Sequence, residues 1–209
     1  MRSLYDRVVK VAQGAALMTE TELEIEFDGG CSELLENTVL DQAMSEEFGR
    51  LGPVPFDDED QARAEPFLAT IGTTELGYIK KAAHIPADDH GALHSGVTPF
   101  DPGAERRTMG GSTDVGDVSW VVPTVQCTTA VGALGTPAHS WQMTGQGKLP
   151  AAHKGMLHAA KVMGATASRM LADPGLLAAA RAEFEGRLAQ RPYDCPIPDG
   201  VIAPPLRPA

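Results

Sequence analysis

A chain of 209 residues, 43% hydrophobic and 22% charged, has the make-up of a globular protein long enough to bury a core. Seventeen basic residues against 28 acidic ones leave a formal net charge of -11, which repels nucleic-acid phosphates and anionic membranes and argues against both as partners. The widely spaced Cys31, Cys127 and Cys195 form no Cys-x-x-Cys pair and predict free thiols in a reducing cytoplasm.

The first residues hold no apolar stretch of the kind a secretory signal needs, and no run approaches the roughly 20 apolar residues that span a bilayer. A helix is predicted at once. Ser3 can cap it, Asp6 suits its positive end, and Leu4, Val8, Val11, Ala12 and Ala15 share a face. After Thr19 the period changes to two: Leu23, Ile25 and Phe27 alternate with Glu22, Glu24 and Glu26. That pattern predicts a half-buried strand stopped by Asp28-Gly29-Gly30. A lone helix and strand leave an apolar face uncovered, so this end reads as the last part of a unit whose other strands lie elsewhere.

Asn37 is the predicted cap of a helix carrying Leu40, Met44, Glu47 and Leu51, with Phe48 alongside, that ends between Gly49 and Pro53. The acidic run Asp57-Asp58-Glu59-Asp60 leads into a short helix predicted over 62–71, with Pro66 as its weak point. From 72 to 108 periodicity fades, and a long loop holding His84, His90 and His94 is expected. Val125, Cys127, Thr129 and Val131 alternate as a strand, which makes Cys127 a structural thiol. The longest helix follows, with Ala152, Met156, Ala159, Ala160, Met163, Ala167 and Met170 as its expected core stripe and His153 and His158 pointing in different directions. Asp173 caps a last helix with Pro174 in its first turn and Leu177, Ala180, Phe184 and Leu188 facing inward. An extended, proline-rich tail runs from Pro192 to Pro198.

Chemistry concentrates between Gly110 and Trp141. Ser112, Thr113, Asp114 and Asp117 crowd one turn, and His139 sits in a second turn. A neutral imidazole there can bind Zn²⁺ if other ligands converge; otherwise it is a hydrogen-bonded loop histidine. Asp114 and Asp117 can orient a metal ligand or bind substrate, or they can simply bond nearby backbone amides. Ser112 does not sit in a nucleophile elbow, because Asp114 stands where G-x-S-x-G needs glycine. Gly110, Gly111 and Gly116 fit neither a phosphate loop nor a dinucleotide fingerprint.

Four motifs in order carry a resemblance: 111–124 (GSTDVGDVSWVVPT), 135–142 (GTPAHSWQ), 152–156 (AHKGM) and 193–198 (YDCPIP). They resemble the aminobenzoyl-glutamate hydrolase B subunits, within the dimetal aminoacylases and glutamate carboxypeptidases of metallopeptidase clan MH. The resemblance implies an α/β fold: the C-terminal half of a catalytic domain with a helix-flanked mixed sheet, preceded by the last helix and strand of a βαββαβ lid. On it, residues 1–30 are a remnant of the lid and dimerisation domain, and 31–209 are the C-terminal part of the metallohydrolase domain. It implies a Zn or Mn centre that hydrolyses amides of the aminobenzoyl-glutamate or N-acyl amino acid type. His139 matches its final ligand, and Asp114 the aspartate of the glycine-rich turn.

No His-x-Asp triplet occurs in this sequence, and Glu46-Glu47 follows no metal ligand, so no catalytic base is assigned. The expectation is an incomplete catalyst, finished by an N-terminal half or companion subunit. The alternative is a non-catalytic or truncated product that self-associates through exposed apolar surface.

Overall fold

The computed structural model describes residues 2–82, 85–89, 91–98, 100–103 and 111–201. Among the described residues there are eight helices and no β-strand, which overturns the expected mixed α/β sheet. Residues 22–27 and 123–131 run without turn or bend, as strands would, but neither is paired in a ladder. The alternation that predicted them is a property of one segment, whereas a sheet needs a neighbour. None of the described helices is long and apolar enough to cross a membrane.

The chain divides into two compact units. The first comprises residues 1–35, 108–122 and 188–209 and holds α1 (Arg2–Thr19) and the short α5 (Val115–Ser119). Ser3 lies inside α1 rather than ahead of it. Its apolar face is exposed: Leu4, Val8, Leu17 and Met18 stand in solvent, and Val11 is 71% accessible. Tyr5 meets Phe27 edge-on at 6.0 Å between ring centres.

The second unit comprises residues 36–107 and 123–187. It contains α2 (Thr38–Leu51), α3 (Asp58–Leu68), α4 (Thr73–Ala82), α6 (Trp141–Gln146), α7 (Pro150–Ala172) and most of α8 (Pro174–Gln190). Asn37 caps α2 as its sequence predicts, accepting from the Leu40 amide at 3.1 Å, while its amide nitrogen donates to Ala180 O at 2.8 Å. Glu183 accepts from the next two free amides, Thr38 and Val39, each at 3.0 Å. Asp57 and Asp60 close a capping box on α3, and Lys154 of α7 binds both carboxylates. Asp173 accepts from Gly175 and Leu176 at the start of α8.

α2 packs on α7, and Ala64, Ala92, Leu93, Ala133 and Ala151 form a core with Phe56, Phe67 and Leu68 against it. Gln61 exchanges two hydrogen bonds with the Leu93 backbone, donating at 3.0 Å and accepting at 2.9 Å. The buried face of α7 is Ala151, Ala152, Gly155, His158, Val162 and Thr166, not the predicted methionine stripe. Met156 is 58% exposed and Met163 49%. The helix is apolar on several faces, so periodicity left the choice open; close approach decides it. A Cβ on Gly155 would lie 2.1 Å from Ala130 O, so only glycine admits that backbone.

Other expectations also change. Part of the predicted loop is α4, where Thr73, Leu76, Ile79 and Lys80 build a helix too short and mixed to read from its pattern. Leu177 is largely exposed rather than inward. His94 is half-buried and lies 3.1 Å from Asp89, not loose in a loop. His84, His90 and Gly110 lie outside the described residues.

Candidate functional site

The acidic turn belongs to the first unit. Ser112, Thr113 and Asp114 are exposed, and α5 then begins at Val115 with no side-chain cap from Asp114. Asp117 uses both carboxylate oxygens within its unit: Oδ2 accepts from the Ser32 amide at 3.0 Å and Oδ1 from the Tyr193 hydroxyl at 2.8 Å. Partial burial opposes its ionisation, but the bonds from Ser32 and Tyr193 outweigh that and hold its carboxyl below the usual range. The same Asp117 bond, more than any other cause, raises the Tyr193 phenol.

Neighbouring contacts make this turn a clasp on two remote segments. Ser119 Oγ accepts from the Leu35 amide at 2.7 Å, and Trp120 Nε1 donates to Glu33 O at 2.8 Å. Trp120 stacks on Tyr193 at 6.1 Å and carries the Arg191 guanidinium at 5.2 Å. Gly116 is required, since a Cβ there would sit 2.0 Å from Ser32 O. Asp114 touches Cys31 Sγ at 3.8 Å. Desolvation, then the charges of Asp114 and Asp117, push the Cys31 thiol up, which disfavours a nucleophilic thiolate.

His139 belongs to the second unit. Its turn is built by Gln146, buried and fully engaged: Oε1 accepts from the Ala133 amide at 2.6 Å, and Nε2 donates to Thr136 Oγ1 at 2.9 Å and Gln142 O at 3.1 Å. Ser140 caps α6 and donates back to Pro137 O at 2.7 Å. Held between these anchors, His139 has φ +57, a left-handed conformation uncommon outside glycine, and its ring is exposed. The imidazole has no hydrogen bond or ion pair among the described residues, so the hydrogen-bonded loop reading has no partner to support it.

A metal ion needs more than this. Zinc sites take three or four protein donors, and among the described residues no three His, Cys, Asp or Glu side chains stand together as a ligand set. By themselves they do not fit the expected metal. Glu47 is not a spare base either: it is buried, bonded by Arg50 at 2.7 Å, with Arg169 3.9 Å away.

A large concavity lies elsewhere in the second unit. It is a groove of about 700 Å³ lined by Met44, Phe48, Val54, Ile85 and the row 125–136, with Asp41 and His158 on its wall. His139 does not line it. His158 is 6% exposed, its ring lies 6.1 Å from Phe48, and its Nε2 has no hydrogen-bond partner among the described residues. Its helical surroundings gave no sequence signal, and pairing it with His153 points away from the groove, because His153 is exposed. Cys127, also on the wall, is half-buried, and burial pushes its thiol up.

A helical chain with an acidic clasp and a separate histidine turn defines no class of its own, and no family model and no solved structure matches it. Its sequence does match a curated protein. It is 38% identical over 217 residues to the p-aminobenzoyl-glutamate hydrolase B subunit of Escherichia coli (strain K12), a match that covers 99% of this chain and 45% of the relative. The chain is therefore similar in sequence to that B subunit, and it spans about half the length of the curated relative it matches.

Proposed function

We propose that the chain is part of a hydrolase acting on amides of the p-aminobenzoyl-glutamate or N-acyl amino acid type. The observation that carries this reading is 38% identity sustained over 99% of the chain to a protein named for that hydrolysis. His139, exposed and without a partner, is one donor to a divalent ion, Zn or Mn, whose other donors lie outside these 209 residues. Asp114, exposed and contacted by the Cys31 thiol at 3.8 Å, does the orienting work, whereas Asp117 spends its carboxylate on the clasp. The relative's name as one subunit of a hydrolase supports a companion chain.

The test is release of p-aminobenzoate from p-aminobenzoyl-glutamate with added Zn²⁺ or Mn²⁺. It is run on the chain alone and on the chain co-expressed with the part of the E. coli relative outside the aligned residues. Hydrolysis in the combined sample, lost in His139→Ala, is the expected result. Equal rates with and without the chain sink the reading.

The exposed apolar face of α1 favours a second reading, a non-catalytic chain that self-associates. Light scattering decides it: a mass of one chain across a hundredfold range of concentration, order of magnitude, excludes that assembly.

A further inference from the structure

We propose that Cys31 and Cys195 of the first unit are a modification site: a peroxide oxidises the two thiols to a disulfide, and a thiol reductant reverses it. No hydrolysis is involved.

Two remote segments of that unit, 30–33 and 191–196, run side by side in opposite directions. At one end Gly30 packs on Pro196, where a Cβ on the glycine would lie 3.1 Å from Pro196 Cβ. In the middle Asp117 joins the Ser32 amide, at 3.0 Å, to the Tyr193 hydroxyl, at 2.8 Å. At the other end Glu33 pairs with Arg191. Between the first contact and the second, one segment holds only Cys31 and the other only Asp194 and Cys195. Each cysteine is thus one residue from the Gly30–Pro196 contact, on the same side of it. A disulfide bridges Cα atoms roughly 4.4–6.8 Å apart, about the separation of facing residues on adjacent antiparallel segments. Neither segment is helical, so drawing the two sulfurs together breaks no helix.

The two thiols also converge on one turn. Cys31 Sγ donates to Asp114 Oδ1 at 3.8 Å, and the Cys195 thiol is hydrogen-bonded to the Tyr193 hydroxyl, which itself donates to Asp117. Both cysteines are exposed, so a small oxidant reaches them, whereas Cys127 is half-buried and belongs to the second unit.

The surroundings set the order of the steps. Desolvation and the charges of Asp114 and Asp117 hold Cys31 as the thiol, so Cys195 reacts first. Its thiolate attacks one peroxide oxygen, the O–O bond breaks, and the departing hydroxide takes up the Cys195 proton and leaves as water. Cys195 then carries S–OH. The Cys31 sulfur attacks the Cys195 sulfur, the S–O bond breaks, and hydroxide leaves as a second water with the Cys31 proton. Two electrons pass from the thiol pair to the peroxide. The new bond replaces the Cys31 contact with Asp114 and fastens the tail of the chain to residues 30–33.

The test is oxidation of the full chain by hydrogen peroxide, in buffer and in concentrated urea, followed by alkylation, intact mass and peptide mapping. In buffer the mass falls by two hydrogens, and the Cys31 and Cys195 peptides stay linked until dithiothreitol is added. That link exceeds any link to Cys127 by at least about tenfold, and urea abolishes the preference, because the fold supplies the proximity. Cys127→Ser keeps the link; if that variant fails to fold, the wild-type map decides. Four results overturn the proposal: all three thiols still open to alkylation, a link made chiefly through Cys127, a bond between two chains, or the same pairing in buffer and in urea. The readout is a mass and a peptide map, so loss of the hydrolase reading leaves this one standing, and the reverse holds too.

Discussion

The Tyr193 hydroxyl donates to Asp117 at 2.8 Å, and that contact ties the tail of the chain to the turn richest in chemical side chains. Because the same carboxylate also holds the Ser32 amide, Asp117 links three segments far apart in sequence. Its first task is therefore to close a fold, and its motif is legible as structure before it is legible as chemistry.

Tyrosine titration tests this link. Tyr193 ionises above the usual phenol range because its proton is shared with an ionised Asp117. Spectrophotometric titration of Asp117→Asn shifts one of the three phenols downward toward the ordinary tyrosine range, with the smaller influences of Cys195 and desolvation remaining. An unchanged curve removes the link.

Stability against pH follows from Asp41 and Glu183. Burial, then the Glu183 charge, raise Asp41 to about 6. The folded chain therefore holds that proton more tightly than the unfolded chain, and this contribution is lost as pH rises from 3.8 through about 6. Glu183 is opposite: burial opposes its ionisation, but bonds from Val39, Arg187 and Thr38 lower it to about 2. Its contribution is full above 4.5 and is lost as pH falls toward 2. Denaturant titrations show both differences at neutral pH: Asp41→Asn gains stability there, whereas Glu183→Gln loses on the order of 2 kcal/mol, a loss that fades as pH falls below 4.5 toward 2.

His158→Leu, measured by urea unfolding of the chain alone, is neutral or stabilising by about 1–2 kcal/mol, because it removes a buried nitrogen that has no partner among the described residues. A loss of more than about 2 kcal/mol means that the nitrogen is satisfied in solution.

Gly155→Ala costs about 1–3 kcal/mol and frees residues 129–131, since the added methyl meets the Ala130 carbonyl rather than a side chain that can turn away. Thermal unfolding and amide exchange read the two effects separately.

Gln146→Ala leaves the Ala133 amide buried without its acceptor and cuts the tie to Thr136. A loss of about 2–3 kcal/mol is expected, with faster exchange through 133–140 around His139. Unaltered exchange there disproves its role in building that turn.

Local chemistry was readable from the residues alone. Asn37 and Asp173 announced their helices because a short side chain before an apolar-periodic run can reach the free amides of the first turn, whatever lies around it. His139 announced a turn by its glycine, proline and serine neighbours, and the four ordered motifs pointed to the relative that the comparison then found. Partner choice was not readable, because it depends on what comes near in space. Alternation at 22–27 and 125–131 marked two straight segments, but pairing needs a second backbone, so tertiary structure decided that no described sheet forms. Likewise the apolar surplus of α7 allowed several inward faces, and the contact at Gly155 selected the one that buries His158 and exposes Met156 and Met163. Sequence set what each segment can do by itself; packing, where atoms exclude one another, set which face, which partner and which polar group was left waiting.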